Sequence, residues 1–249
     1  NPRGVQKNVP KSDRYIVDQS TVQGVIELAL GRFNNHDPPA VSISSRTDTG
    51  VHALNTTCHF DLPKIYNCHY ITVCLNSFFR KENDLIRAIR TRLVPPTFHC
   101  RFNALSRTYV YRLAILKQEY SLNNYRPTIL QYFVETPIEE QNRCIFIPNP
   151  KFDVEAFRKA AKLFEGYHDF RTFMTTLSKG SPPVHTLRYI HEVSIEKSTS
   201  TSLPFNNASN YFDYWDIKFK GKSFLYRQVR RMVGVLLAVA QHRITEQDV

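Results

Sequence analysis

The chain has 249 residues, with 33 Lys and Arg against 22 Asp and Glu, a formal net charge of +11; 42% of it is hydrophobic and 22% charged. This is a globular composition, long enough to bury a sizeable core. The longest apolar run, Met232 to Ala240, falls far short of the roughly 20 residues a membrane span needs. With eight glycines and neither GxGxxG nor GxxxxGK[ST], the sequence argues against dinucleotide and P-loop sites.

The basic surplus points to an anionic partner, nucleic acid first, because neutralising phosphates releases counterions. The charge is clustered: Lys218, Lys220, Lys222, Arg227, Arg230 and Arg231 face a single acid, Asp216, between Tyr214 and Arg231, and Arg3, Lys7, Lys11 and Arg14 crowd the opening stretch. The five cysteines are odd in number, irregularly spaced and without C-x-x-C, which fits unpaired thiols in a reducing compartment. Cys58-His59 and Cys68-His69 are adjacent pairs. Neighbours on a strand point to opposite faces, so each pair offers one ligand easily, and no metal is expected. No leader segment is visible. Arg3-Gly4-Val5 and Thr245 to Val249 read as cuts within a longer chain, the latter as the start of a helix.

In chain order, Ser20-Thr21-Val22-Gln23 predicts a capping box with Ser20 as the cap, ahead of an apolar stripe at Val22, Val25, Ile26, Ala29, Leu30 and Phe33. A strand at Val41 to Ser44 runs into the polar turn Ser45 to Gly50 and returns through Val51 to Leu62. Leu85 to Leu93 alternates apolar and basic residues and predicts another strand, ended by Pro95-Pro96. Arg107 to Leu116 reads as a central strand, apolar on both faces over its second half. Asp153 is an N-cap, with Phe152 and Phe157 as a hydrophobic staple and a stripe through Ala160, Ala161 and Phe164 up to Gly166. Strands at Arg188 to Glu196 and Tyr211 to Phe219 flank a Ser/Thr/Asn loop, and a helix over Leu225 to His242 closes the chain. Mixed elements and hairpin-like connections predict an α+β fold with a mainly antiparallel central sheet. It divides into an N-terminal part, 1–105, and a C-terminal part, 106–249, within one continuous domain.

One stretch carries chemistry. In Ser45-Arg46-Thr47-Asp48-Thr49-Gly50-Val51-His52-Ala53, Asp-x-Gly alone is a turn. Here, however, an arginine and a histidine flank the carboxylate in a basic chain, a setting that keeps an Asp ionised as nucleophile or charge stabiliser. Residues 46–53 closely resemble the catalytic motif of the tRNA pseudouridine synthase A family. Further blocks follow in order: Thr21-Val22-Gln23, Leu75-Asn76, Phe98-His99-Cys100-Arg101-Phe102-Asn103-Ala104, Ser106-Arg107-Thr108-Tyr109-Val110-Tyr111, Gly166-Tyr167-His168-Asp169-Phe170, and Phe224 to Gly234. The likeness runs from about Gly4 to the C-terminus and is strongest to the animal tRNA pseudouridine synthase-like branch. By the same likeness, the family's first strand would precede Arg3 and its last would follow Val249.

The resemblance implies the pseudouridine synthase fold, with helices flanking the sheet and an RNA-binding cleft. It also implies an isomerisation that needs no cofactor, nucleotide or metal. It makes Asp48 the essential carboxylate, acting at C1′, at C6 or on the sugar; the sequence leaves all three open. Arg230 would pair with that carboxylate, Tyr109 would stack on the uracil, Leu225 would wall its other side, and Arg46 would fill the space a flipped-out nucleotide vacates or hold the backbone phosphate. Lys218, Lys220, Lys222, Arg227 and Arg231 would line a phosphate groove. His52 would brace the loop, and His168-Asp169 would be a structural turn. The implied partner is tRNA or another structured RNA, bound by a homodimer with no membrane contact, inside the cell in mitochondria, cytoplasm or nucleus. The competing reading is an RNA-binding or chaperone protein of the same fold with little turnover. A two-carboxylate hydrolase would need a second acid near Asp48, for which Asp61 and Asp169 are poorly spaced.

Overall fold

In the computed structural model, which describes residues 17–120, 136–148, 151–175, 180, 182–201 and 207–249, the chain divides into two units, Asn1–Ala104 and Leu105–Val249. The basic residues Arg3, Lys7, Lys11 and Arg14 lie outside the described residues.

In the first unit, helix α1 (Val22–Leu30) is capped by Thr21, whose hydroxyl accepts the Gly24 amide at 3.1 Å. The expected cap, Ser20, gives its hydroxyl to the Asp18 carboxylate at 2.6 Å, and Gln23 reaches Glu27 and the Val41 carbonyl. A charged acceptor two residues away holds Ser20, so the cap moves on by one residue. Strands β1 (Ser42–Ile43) and β2 (Cys58–His59) form a two-rung antiparallel ladder. Helix α2 (Cys68–Lys81) is capped by Asn67, which accepts the Tyr70 amide. Cys68-His69 therefore opens a helix and does not lie in a strand. Ile71, Leu75, Phe78 and Phe79 of α2 share one core with Val25, Ala29, Leu30, Phe33 and Val41. The strand predicted over Leu85 to Leu93 is not formed among the described residues. Ile86 and Ala88 pack on this core while Leu85 and Ile89 are exposed, so the period of two is kept without a ladder.

The second unit is built on a five-stranded sheet ordered β4-β3-β7-β6-β5, from β3 (Arg107–Leu116), β4 (Ile145–Ile147), β5 (Gly166–Asp169), β6 (Leu187–Ser198) and β7 (Phe212–Gly221). Every pairing is antiparallel except β3 with β4. Gly166-Tyr167-His168-Asp169 thus forms an edge strand where the sequence reads as a turn. Gly166 takes φ +102 at its start, after helix α3 (Val154–Lys162) has ended. Asp153 caps α3 by accepting the Ala156 amide at 2.9 Å, and Phe152 and Phe157 approach to 5.4 Å between ring centroids.

The β3/β7 register sets odd-numbered residues opposite odd-numbered ones, so each strand presents one parity to each face. Tyr111, Leu113, Ile115, Trp215, Ile217 and Phe219 face α3 and helix α4 (Gln228–Ala240), and form the main core with Phe157, Met232 and Leu236. Burying Phe219 completely contributes roughly 2–3 kcal/mol. The opposite face is apolar at one end, where Ala114, Leu116, Phe212 and Tyr214 cluster, and polar at the other.

Helix α4 begins three residues later than its apolar stripe suggests. Arg227 stands before it at φ +61, and the buried Gln228 side chain accepts the Leu225 amide at 2.8 Å. Near the end of the chain, Thr245 and Asp248 form a capping box around one short 3₁₀ turn, Glu246–Asp248. Among the described residues no helix is long and apolar enough to cross a membrane, and the five cysteines form no disulfide.

Candidate active site

The candidate carboxylate, Asp48, lies in the first unit. Beyond the β1/β2 ladder, the Ser44 amide donates to the Thr57 carbonyl at 2.9 Å and the Ser44 hydroxyl lies 3.3 Å from that of Thr56. This extra rung fixes both ends of the loop that holds residues 45–55. At its tip the Val51 amide donates to the Asp48 carbonyl at 3.2 Å, with Gly50 at φ +78 in the third position of the turn. That conformation favours glycine and explains the Asp-x-Gly spacing. Asp48 is half-buried, while Arg46 and His52 are exposed. The Thr47 hydroxyl beside Asp48 is buried with no hydrogen-bond partner, a feature that spacing alone does not signal. Burial and the neighbouring Arg101 guanidinium both push the Arg46 pKa down. Two cations are thus held near each other on the unit that carries Asp48.

The candidate aromatic residues lie in the second unit. Tyr109, half-buried near the start of β3, pairs across the ladder with Phe219 and meets Phe224 edge-on, ring centroids 5.2 Å apart and planes at 89°. Arg107 donates to the Lys222 carbonyl at 2.7 Å and closes that end of the sheet. A Cβ at Gly221 would stand 3.1 Å from both Phe224 Cζ and the Tyr189 carbonyl oxygen, so the missing side chain leaves room for the Phe224 ring. Leu225 is buried, its amide held by Gln228. Arg230 is exposed on the first turn of α4.

The basic residues separate. Lys218 and Lys220 have the parity of the helix-free face, opposite the one Tyr109 and Phe219 occupy, so the structure does not bring them to the Tyr109 ring. Lys218 is paired with Glu196 at 2.6 Å; that bond raises the lysine pKa and lowers the carboxyl's. Arg231 donates to the Thr172 and Met174 carbonyls at 3.2 and 2.6 Å and so ties α4 to the segment after β5. Lys222 and Arg227 are exposed at the two ends of the loop that carries Phe224 and Leu225, with the Arg227 guanidinium 5.1 Å from the Tyr226 ring centre. His168 bonds the Glu165 carbonyl at 2.7 Å and Asp169 pairs with Arg171 at 2.9 Å, both local contacts.

Among the described residues one His/Cys group has donor atoms close enough to share an ion: His59, His99 and Cys100, within 4.8 Å of one another. These donors already have partners. His59 Nδ1 accepts the Cys100 amide at 3.4 Å, His99 Nδ1 accepts the Arg101 and Phe102 amides at 3.2 and 3.3 Å, and the Cys100 thiol donates to the Ser42 carbonyl. An Nδ1 that accepts a hydrogen bond places the proton of a neutral ring on Nε2, where it blocks coordination.

Comparison with known proteins agrees with the motif. Residues 160–249 match a family model described as tRNA pseudouridine synthase. A mouse protein named tRNA pseudouridine synthase-like 1 is 35% identical over 88% of this chain and 70% of its own length. Its human namesake is 37% identical over 88% of the chain and 68% of its own length. The tRNA pseudouridine synthase A of Dinoroseobacter shibae is 32% identical over 88% of the chain and 72% of its own length.

Proposed function

Because the chain belongs to the tRNA pseudouridine synthase family, we propose that it isomerises uridine to pseudouridine in tRNA, with Asp48 as the essential carboxylate. The observation that carries this reading is the 46–51 loop. It holds a half-buried carboxylate on a glycine-dependent turn, next to an unpartnered hydroxyl and in the same unit as two guanidiniums.

In the reaction the C1′–N1 bond breaks, the uracil turns while still held, and C1′ joins C5. The C5 proton leaves and N1 gains one, so nothing is consumed. Asp48 acts at C1′, at C6 or on the sugar. Tyr109, its ring fixed by Phe224 and Phe219, stacks on the uracil and offers its hydroxyl for the late proton transfer. Leu225 walls the base, and Arg230 pairs with the carboxylate to keep it charged. Extruding the nucleotide costs a few kcal/mol of unstacking, and Arg46 fills the space it leaves or holds the backbone phosphate. Lys222 and Arg227 hold phosphates near the Tyr109 end; Arg231 supports them from its place on α4. Lys218 and Lys220, on the other sheet face, meet a different part of the RNA.

We assign the carboxylate to the part over 1–105 and the aromatic wall to the part over 106–249, joined in one catalytic domain. A homodimer in which one subunit orients the RNA for the other, working in mitochondria or in cytoplasm and nucleus, completes the proposal. Asp48→Ala tests it by site-mapped pseudouridine sequencing on a tRNA substrate. The variant forms no pseudouridine yet binds the RNA as the parent does. An intact protein that binds tRNA without modifying it would instead be an RNA-binding member of the same fold.

A further inference from the structure

Residues 98–103 form a tight knuckle whose hydrogen bonds all serve to hold it in one shape. The His99 amide donates to Asn103 Oδ1, and the Asn103 amide donates back to the His99 carbonyl at 2.9 Å. His99 Nδ1 takes the next two amides, of Arg101 and Phe102. Below them Cys100, 4% exposed, is anchored to the β1/β2 ladder through the Ser42 carbonyl and His59.

What this framework presents is Phe102. Its ring stacks on His99, with centroids 4.2 Å apart and planes 29° from parallel, yet the residue is 78% exposed. Single exposed apolar residues are ordinary on protein surfaces. This one differs in being backed by a second aromatic ring that is itself fixed by two amides, so one π face lies against imidazole and the other stays open. Its neighbour Arg101 stands close enough to Arg46 to help lower the Arg46 pKa. Like charges brought together on a protein of net charge +11 favour an anion near them.

We propose that Phe102, backed by His99, is a stacking platform for an unpaired base of the RNA substrate, with Arg101 and Arg46 contacting the phosphate beside that base. An open aromatic face next to guanidiniums is the combination that binds single-stranded nucleotides without reading their sequence, since every base has a π face. The platform orders a nucleotide that flanks the target uridine and acts on RNA affinity, not on bond making. It rests on the reading of this chain as an RNA-modifying enzyme.

The test uses the full chain with transcribed tRNA and compares Phe102→Ala, Phe102→Leu and Phe102→Tyr with the parent by fluorescence anisotropy and by the rate of pseudouridine formation. Ala and Leu each weaken tRNA binding by roughly tenfold, with the loss falling on KM, whereas Tyr, which keeps the π face, stays within about twofold. A blunt RNA duplex, which offers no unpaired base, binds all four proteins alike. Leu binding as well as Tyr overturns the platform, because an apolar contact would then suffice. So does a Phe102→Ala protein that sediments in a different oligomeric state, since the ring would then belong to an interface between copies. Ala binding and modifying tRNA as the parent does would remove the platform and leave the enzyme standing. A parent protein that neither binds nor modifies tRNA would remove both.

Discussion

Asn76 and Ala88 exchange two hydrogen bonds: the Asn76 side-chain amide donates to the Ala88 carbonyl at 2.9 Å, and the Ala88 amide donates to Asn76 Oδ1 at 2.8 Å. One side chain on α2 thereby satisfies both backbone groups of a residue that has no ladder partner among the described residues. The Thr72 hydroxyl adds a bond to that of Thr91 at 2.9 Å, on the same side of the helix. Asn76→Leu removes both Asn76 bonds while roughly keeping the volume. Leaving two backbone groups unpaired costs about 1–3 kcal/mol. Hydrogen exchange is the measurement: the Ala88 amide and its neighbours lose protection by at least about tenfold, while amides of β3 and β7 keep theirs. Unchanged protection at Ala88 would mean that packing of Ile86 and Ala88 on the core holds the segment.

That arrangement also separates what the sequence makes legible from what it does not. Local patterns that satisfy themselves read well: the Asp153 cap with its Phe152–Phe157 staple, and the β3 run whose second half is buried on both faces. The 85–93 alternation was a true signal of burial, but a ladder also needs a partner strand, and Asn76 takes that place. Helix α2 is obscured because exposed Tyr70 and Val73 and half-buried Cys74 fall among its buried positions. Strand β5 has only four residues and pairs with chain some twenty positions later. In the site, the Asp48 loop is legible as a motif with a conformational reason in Gly50. The place of the lysine run relative to Tyr109 is not legible from local pattern. Alternation alone sets Lys218 and Lys220 against Ile217 and Phe219, but which face Tyr109 shares depends on the β3/β7 register, which no local pattern encodes.

A second prediction concerns the polar end of the helix-free face. Arg112 donates to both Glu140 oxygens at 3.1 and 3.0 Å and to Asp216 at 3.2 Å, and it also reaches the Thr199 carbonyl. Glu140 is fully buried. Burial alone would raise its carboxyl pKa, but the Thr201 amide and Arg112 outweigh burial and hold it below its ordinary 4.5. A carboxyl depressed by folding adds stability that is complete above the unfolded value and disappears as pH falls through the folded one. The parent therefore loses this contribution only below about pH 4.5. Arg112→Met leaves the buried carboxylate without its cation, a loss of about 3–5 kcal/mol at pH 7. With burial now dominant, the carboxyl pKa rises above its unfolded value and the sign reverses. The deficit of the variant against the parent shrinks as pH is lowered towards 5. Urea titrations of both proteins at several pH values measure this; a deficit independent of pH would assign the loss to the contact of the guanidinium with the Tyr214 ring.

The Thr47 hydroxyl gives a prediction in which stability and activity move in opposite directions. It is buried and unpartnered beside Asp48, and such a group costs about 1–3 kcal/mol relative to a satisfied one. Thr47→Val keeps the branched shape and replaces the hydroxyl with a methyl, so nothing buried is left wanting a partner. If the hydroxyl served only the fold, removing it would stabilise the protein by up to about 1 kcal/mol and leave turnover alone. Within the proposed site it would have a second role, as a donor or acceptor for the nucleotide that enters next to the carboxylate. Its cost in the free enzyme is then recovered only when RNA is bound, so its removal weakens the bound state relative to the free one. The expected outcome is a higher midpoint of thermal unfolding together with a drop of about tenfold in kcat/KM for pseudouridine formation. Thr47→Ser, which restores the hydroxyl, recovers most of that activity. A Val variant that is both more stable and fully active would show that the loop's chemistry rests on Asp48 without its neighbour.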